Sequence, residues 1–218
     1  MKRIIITLLV AAVTFCAFAQ KEITQFLGIP VDGSKFEMIQ KLKAKGFKSA
    51  SHDKNILEGT FNGFNVYIHI VTNGDKVCRL MVCDANPVDV RSIQIRFNNL
   101  CSQFENNPKY VSFDYKLIPD DEDIAYEMIV KNKRYVATFC QRPILLTEPS
   151  ELEKYLKTKY NEAVWDNLTP EQQAELTKHS IEISLKKPVW FIIADYFGKY
   201  YIAMFYDNEY NRANGEDL

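Results

Sequence analysis

The chain has 218 residues, with 27 basic and 28 acidic side chains, 47% hydrophobic and 13% aromatic content. That near-neutral balance gives no electrostatic case for nucleic acid binding, and the hydrophobic fraction excludes a largely disordered chain. The length suits one or two domains with a real core, and the aromatics favour strands.

Lys2 and Arg3 precede an apolar run from Ile4 to Phe15, and Ala17-Phe18-Ala19 follows with a small–x–small pattern. The run is too short for a membrane span. Residues 1–19 are therefore expected to be a signal peptide, cleaved after Ala19. The product would have no membrane span and would reside in the periplasm or cell envelope. Cys16 raises lipid anchoring as a rival, but Phe15 stands where a small residue is required, which argues against it. Cleavage removes two basic residues, 27 − 2 = 25, leaving 25 against 28 acidic.

The first element is predicted as a helix between Ser34 and Gly46. Ser34 and Glu37 make a capping box, Phe36, Ile39 and Leu42 fall near one side with Met38 beside them, and Gly46 with Phe47 makes the stop. A three-stranded meander follows at 55–61, 64–72 and 76–84, turned by Asn62-Gly63 and Asn73-Gly74, whose residues tolerate positive φ. In the middle strand Val66, Ile68 and Ile70 share one face, and Tyr67, His69 and Val71 the other.

Pro87-Val88-Asp89 leads into a second helix. Ile93, Phe97, Leu100, Cys101 and Phe104 form its apolar stripe. Strands are predicted at 109–117, 124–131 and 134–141, with an acidic loop at Asp120-Asp121-Glu122-Asp123. Pro30-Val31-Asp32 and Pro87-Val88-Asp89 open the two segments in the same order, 57 residues apart since 87 − 30 = 57. The Gly28–Gly33 lead-in has neither GxGxxG nor Gly-Lys-Ser/Thr, so the start of a structural unit is preferred over a phosphate loop.

Beyond residue 142 a helix with Ser150 and Glu153 as a capping box, a short helix from Thr169-Pro170, and a weak strand through Ile181, Ile183 and Leu185 are predicted. A strong hairpin around Gly198-Lys199 closes the chain. Residues 142–188 read as a helical insertion and 189–207 as the terminal hairpin.

His52, His69 and His179 do not stand at metal-ligand spacing, no nucleophile elbow is present, and nothing implies a cofactor. The tail oxygens of Asp207, Glu209, Asn211, Asn214, Glu216 and Asp217 lack the spacing of a calcium loop. Cys78, Cys83, Cys101 and Cys140 survive cleavage. Cys78 and Cys83 point to opposite faces of one strand and cannot pair. Buried thiols are expected, and Cys101 with Cys140 is the pair to examine if a disulfide forms. Trp190, Tyr196, Tyr200, Tyr201 and Tyr206 belong to the densest aromatic segment, to be weighed as core or as a binding face.

"FLGIPVDGSKFEMIQKLKAKGF", "RFNNLCSQFENNPKYV" and "GKYYIAMFYDNEYNRANGEDL" resemble a family of small exported proteins of Bacteroidales-type bacteria. That family has no assigned activity, so the resemblance implies no catalytic residue. A weaker likeness is to β-lactamase-inhibitor-protein-like tandem modules, which implies helices packed on one face of an antiparallel sheet. The expected architecture is α+β, with two related helix-plus-antiparallel-sheet units, 20–86 and 87–218. The expected function is a non-enzymatic binding module of the periplasm or envelope, with a protein or glycan partner. Two rivals stay open: an envelope-directed hydrolase using carboxylates such as Asp114 or Glu127, and an assembly protein docking through its terminal hairpin.

Overall fold

The computed structural model describes residues 22–213; the expected signal peptide and Cys16 lie outside them. The fold is α+β. Strands β1 (Gln25–Phe26) and β2 (Ile29–Pro30) form a small hairpin, turned by Leu27 at φ 51° and Gly28 at φ 78°. Helix α1 (Lys35–Ala44) starts at the predicted capping box: Ser34 Oγ accepts from Glu37 N, and Glu37 Oε2 accepts from Ser34 N. At its end Phe47 N donates to Leu42 O and Gly46 N to Lys43 O, the two bonds of a Schellman motif, with Gly46 at φ 98°.

The main sheet has eight strands, all antiparallel, in the order β3-β4-β5-β6-β10-β9-β8-β7. These are β3 (Lys48–Ser49), β4 (Ile56–Phe61), β5 (Phe64–Asn73), β6 (Lys76–Asp84), β7 (Tyr110–Asp114), β8 (Val136–Gln141), β9 (Pro188–Tyr196) and β10 (Lys199–Asp207). Along the chain the order is α1 then β3 to β6, and α2 (Val90–Glu105) then β7 to β10. Each segment thus supplies four strands: the first gains the short β3 beyond the three expected, and the second keeps four of those expected because residues 124–129 are helical. The two sets meet at their last strands, β6 against β10.

One face of the sheet is closed by α1 and α2. Met38 and Leu42 of α1, and Ile93, Phe97, Leu100, Cys101 and Phe104 of α2, are buried there with Leu57, Ile68, Leu80, Phe191, Ile202 and Met204. Phe97 meets the Phe191 ring edge-on at 5.2 Å, and Phe104 stacks on Phe139 at 4.8 Å. Phe36, expected on the apolar side of α1, is instead 70% exposed. Positions i and i+4, Met38 and Leu42, carry the contact, and Phe36 falls on the opposite side.

Two predicted strands are helices. Residues 124–131 hold helix α3 (Ile124–Ile129), because the Asp123 carboxylate accepts from Tyr126 N and caps a helical turn. Ile181, Ile183 and Leu185 fall in the long helix α6 (Pro170–Leu185), with Ile181 and Leu185 about half exposed. Their alternation is incidental.

Residues 23–142 and 182–213 form one compact unit, while Glu22 with 143–181 belongs to another. The second holds α4 (Ile144–Thr147), α5 (Pro149–Tyr160), a 3-10 turn (Trp165–Asn167) and most of α6. Helix α5 begins at Pro149 without a side-chain cap, so the expected Ser150–Glu153 box is not formed. Thr169 and Gln172 instead exchange capping bonds at the start of α6. Glu175 of α6 accepts from Lys159 Nζ and Tyr160 Oη, both at 3.0 Å, which ties α5 to α6.

Candidate functional site: the second face of the sheet

Side chains alternate across each strand, so the residues pointing away from α1 and α2 form a second face. On β6 these are Arg79, Met81 and Cys83, on β10 Tyr201, Ala203, Phe205 and Asp207, and on β9 Trp190 and Ile192. Register sets Arg79 opposite Asp207, Met81 opposite Phe205, and Phe205 opposite Trp190. Trp190 and Phe205 stack with centroids 3.9 Å apart and planes 15° off parallel. The Arg79 guanidinium lies 5.0 Å from the Phe205 centroid and 5.3 Å from that of Trp190.

One buried carboxylate holds this array. Asp207 Oδ1 accepts from Arg79 Nε at 2.5 Å, Oδ2 accepts from Arg79 Nη2 at 2.8 Å, and Oδ2 also accepts from Trp190 Nε1 at 2.9 Å. The Asp207 side chain is 2% exposed and that of Arg79 28%. The bond to Asp207 raises the Arg79 pKa, so the guanidinium stays charged. Burial pushes the Cys83 thiol up to about 12 and raises Tyr201. Cys83 is therefore protonated at neutral pH and not nucleophilic. The array is charge-balanced, aromatic and locked.

The predicted aromatic residues do not share one surface. Trp190 and Tyr201 lie half-buried on the second face. Tyr200 and Tyr206 point to the helix side, 2% and 3% exposed, within the core. Tyr196 stands at the β9–β10 turn beside Phe197, which is 91% exposed at φ 51°. Cys101 and Cys140 are free, buried thiols. Cys101 belongs to the helix-side core, whereas Cys140 alternates with Phe139 and faces the other way, so the sheet separates them.

No family model matches the chain, and no curated protein or solved structure matches it.

The other polar candidates are engaged structurally. Asn208 Nδ2 donates to Val31 O, and Asn211 Nδ2 donates to Asp32 Oδ1 and Val77 O. Thr24 Oγ1 donates to Asp207 O. The amide nitrogens of Asn208 and Asn211 thus fasten the end of β10 to the Pro30-Val31-Asp32 lead-in and to β6, and Glu209 pairs with Arg212, while Asn214, Glu216 and Asp217 lie outside the described residues. In the acidic loop Glu122 accepts from Lys133 and Tyr135, and Asp123 caps α3. Glu127 pairs with Lys131, and Asp114 is exposed on β7. Among the described residues no three His, Cys, Asp or Glu side chains converge as a metal site requires, and no helix is long and apolar enough to cross a membrane.

The roles of Arg79 and Asp207 were not readable in advance. They lie 128 residues apart, and only the β6–β10 register brings them together. The available signal was an arginine at an outward position of a strand otherwise apolar on both sides.

Proposed function

We propose that the protein is a non-enzymatic binding module of the periplasm or cell envelope, contacting a protein partner through the second face of its sheet. The observation that carries this reading is the half-buried set of Arg79, Trp190, Ile192 and Tyr201, held in place by the buried Phe205 beneath them. Rigid aromatic side chains with an arginine are the residue types that dominate binding energy at protein interfaces. Here their geometry is fixed before any partner arrives, which lowers the ordering cost of association. The stacking of Trp190 on Phe205 occupies one ring face of each, which favours a protein surface over a sugar lying flat on an open ring.

The test is site-directed photo-cross-linking in cells. A cross-linking residue at Tyr201 or Ile192 is expected to capture a discrete partner, and the same residue at exposed Lys178 is not. Equal capture from all three positions, or none from the sheet face, would remove the proposal. Fractionation of the cells locates the protein independently; a cytosolic pool alone would refute the envelope assignment.

A further inference from the structure

Helix α1 and the start of β3 carry a second surface. Lys41, Lys43, Lys45 and Lys48 occur within the eight residues 41–48. All four are exposed, and none makes an ion pair among the described residues. The nearest carboxylates in sequence are Glu37, whose Oε2 accepts from Ser34 N, and Asp53, whose Oδ1 accepts from Asn55 N. Glu58 lies opposite Lys48 in the β3–β4 register without an ion pair to it. Phe36 is 70% exposed, and Phe36, Gln40 and Lys43 stand at i, i+4 and i+7, along one outward line of α1.

A favourable helix C-terminus accounts for Lys41 and Lys43. It does not account for Lys48, which lies beyond the helix on the two-residue edge strand β3, nor for an exposed phenylalanine in the first turn. An unpaired basic cluster beside an exposed aromatic is the composition of a surface that lies on anionic lipid. The ammonium groups sit among the headgroups and the ring enters the interface. We infer that α1 and the Lys45–Lys48 turn form a peripheral contact for an anionic phospholipid bilayer. The charge of the patch selects this occupant: the Glu37 carboxylate one turn away offsets Lys41 in part, but a neutral partner would leave Lys43, Lys45 and Lys48 without a paired carboxylate. This surface lies on different elements from the sheet face and does not depend on the binding role proposed for it.

The experiment uses the chain from residue 20, which retains every described residue, in flotation with vesicles. One set is phosphatidylcholine alone and the other contains phosphatidylglycerol at about a third of the lipid. Each basic residue near an anionic surface strengthens partition by about fivefold. The expected result is binding to the anionic vesicles at low salt, release at high salt, and little binding to phosphatidylcholine. Replacing Lys41, Lys43 and Lys45 together by Gln should weaken partition by more than about tenfold, with an unchanged circular dichroism spectrum. Phe36→Ser should weaken binding while leaving its salt dependence in place. Equal binding to both vesicle types, no binding at low salt, or binding indifferent to the lysine variant would each overturn the inference. So would loss of duplex DNA binding in that variant with vesicle binding unaltered, which would assign the patch to polyanions of another kind.

Discussion

Arg96 of α2 and Asp84 at the end of β6 form a two-pronged ion pair away from solvent. Nε donates to Oδ2 at 3.1 Å and Nη2 to Oδ1 at 2.9 Å, with side-chain exposures of 8% and 10%. The guanidinium lies 3.4 Å from the Phe64 ring centroid, and Ile202 N on β10 donates to Asp84 Oδ2 at 3.4 Å. One carboxylate therefore joins the second helix to the last strand of each half of the sheet.

Removing one partner of such a pair strands the other. Arg96→Ala should cost about 3–5 kcal/mol, because the Asp84 charge loses its fork and cannot reach water. Arg96→Lys should fall between, since an ammonium replaces only one of the two bonds. Urea unfolding of the three proteins measures this. An Arg96→Ala midpoint equal to wild type would show that Asp84 is solvated and that the pair contributes nothing.

Gly59 lies beneath the ring of Phe47. A Cβ built there would stand 2.5 Å from Phe47 Cδ1, and Phe47 is only 4% exposed, so the ring has little room to retreat. Gly59→Ala should lose about 1–3 kcal/mol by overpacking, even though alanine suits a strand better than glycine does. Phe47→Leu in the same chain should recover part of that loss. A double-mutant cycle without coupling would place the cost elsewhere.

The α2 stripe was legible because it is local. Ile93, Phe97, Leu100, Cys101 and Phe104 follow a 3.6-residue period, and all are buried. Phe97→Asp should therefore unfold the compact unit of 23–142 and 182–213 as a whole, since its ring is 1% exposed and meets Phe191 on β9. A thermal melt unchanged by Phe97→Asp would contradict the packing described for α2.

Legibility failed where distant chain segments decide the outcome. The Asn62-Gly63 turn is local and forms with both residues at positive φ, 50° and 79°. The β6–β10 pairing is not local, so the lone outward arginine of β6 marked Arg79 but not its partners Asp207 and Trp190, and the structural use of Asn208 and Asn211 had no sequence signal. Residues 124–129 show the same limit on a smaller scale. Their side chains fit strand or helix, and the Asp123 cap decides between them. Edge strand β7 is another case. Its outward-facing Tyr110 N donates to Asn107 O, its carbonyl accepts from Arg142 Nε, and a bulge follows between Ser112 and Asp114, so the chain protects its own edge.

The cysteines yield a count. Cys78, Cys83, Cys101 and Cys140 are free and buried, and burial pushes Cys83 and Cys101 up to about 12. In the chain from residue 20, a thiol reagent should find essentially no reactive group in the native protein and four after denaturation without reductant. Two thiols on denaturation would mean that a disulfide forms, with a geometry different from the separation of Cys101 and Cys140 by the sheet.

His69 sets a pH dependence whose direction follows from its place on the second face. It sits half-buried between Ile56 and Met81 on the neighbouring strands, and burial lowers its pKa below 6.5, with Asp53 opposing that shift and His52 adding to it. The unfolded chain therefore takes up a proton on this histidine at higher pH than the folded chain does. Stability contributed by neutral His69 is fully present above about pH 6.5 and declines as pH falls toward the lower folded value. His69→Gln should flatten that part of the profile. Urea unfolding of both proteins at about pH 5 and about pH 7.5 isolates the effect, because His52 and His179 are common to the two. If wild type and His69→Gln lose the same stability over that interval, His69 is as solvated in the fold as in the unfolded chain, and the half-buried position assigned to it on the sheet is wrong.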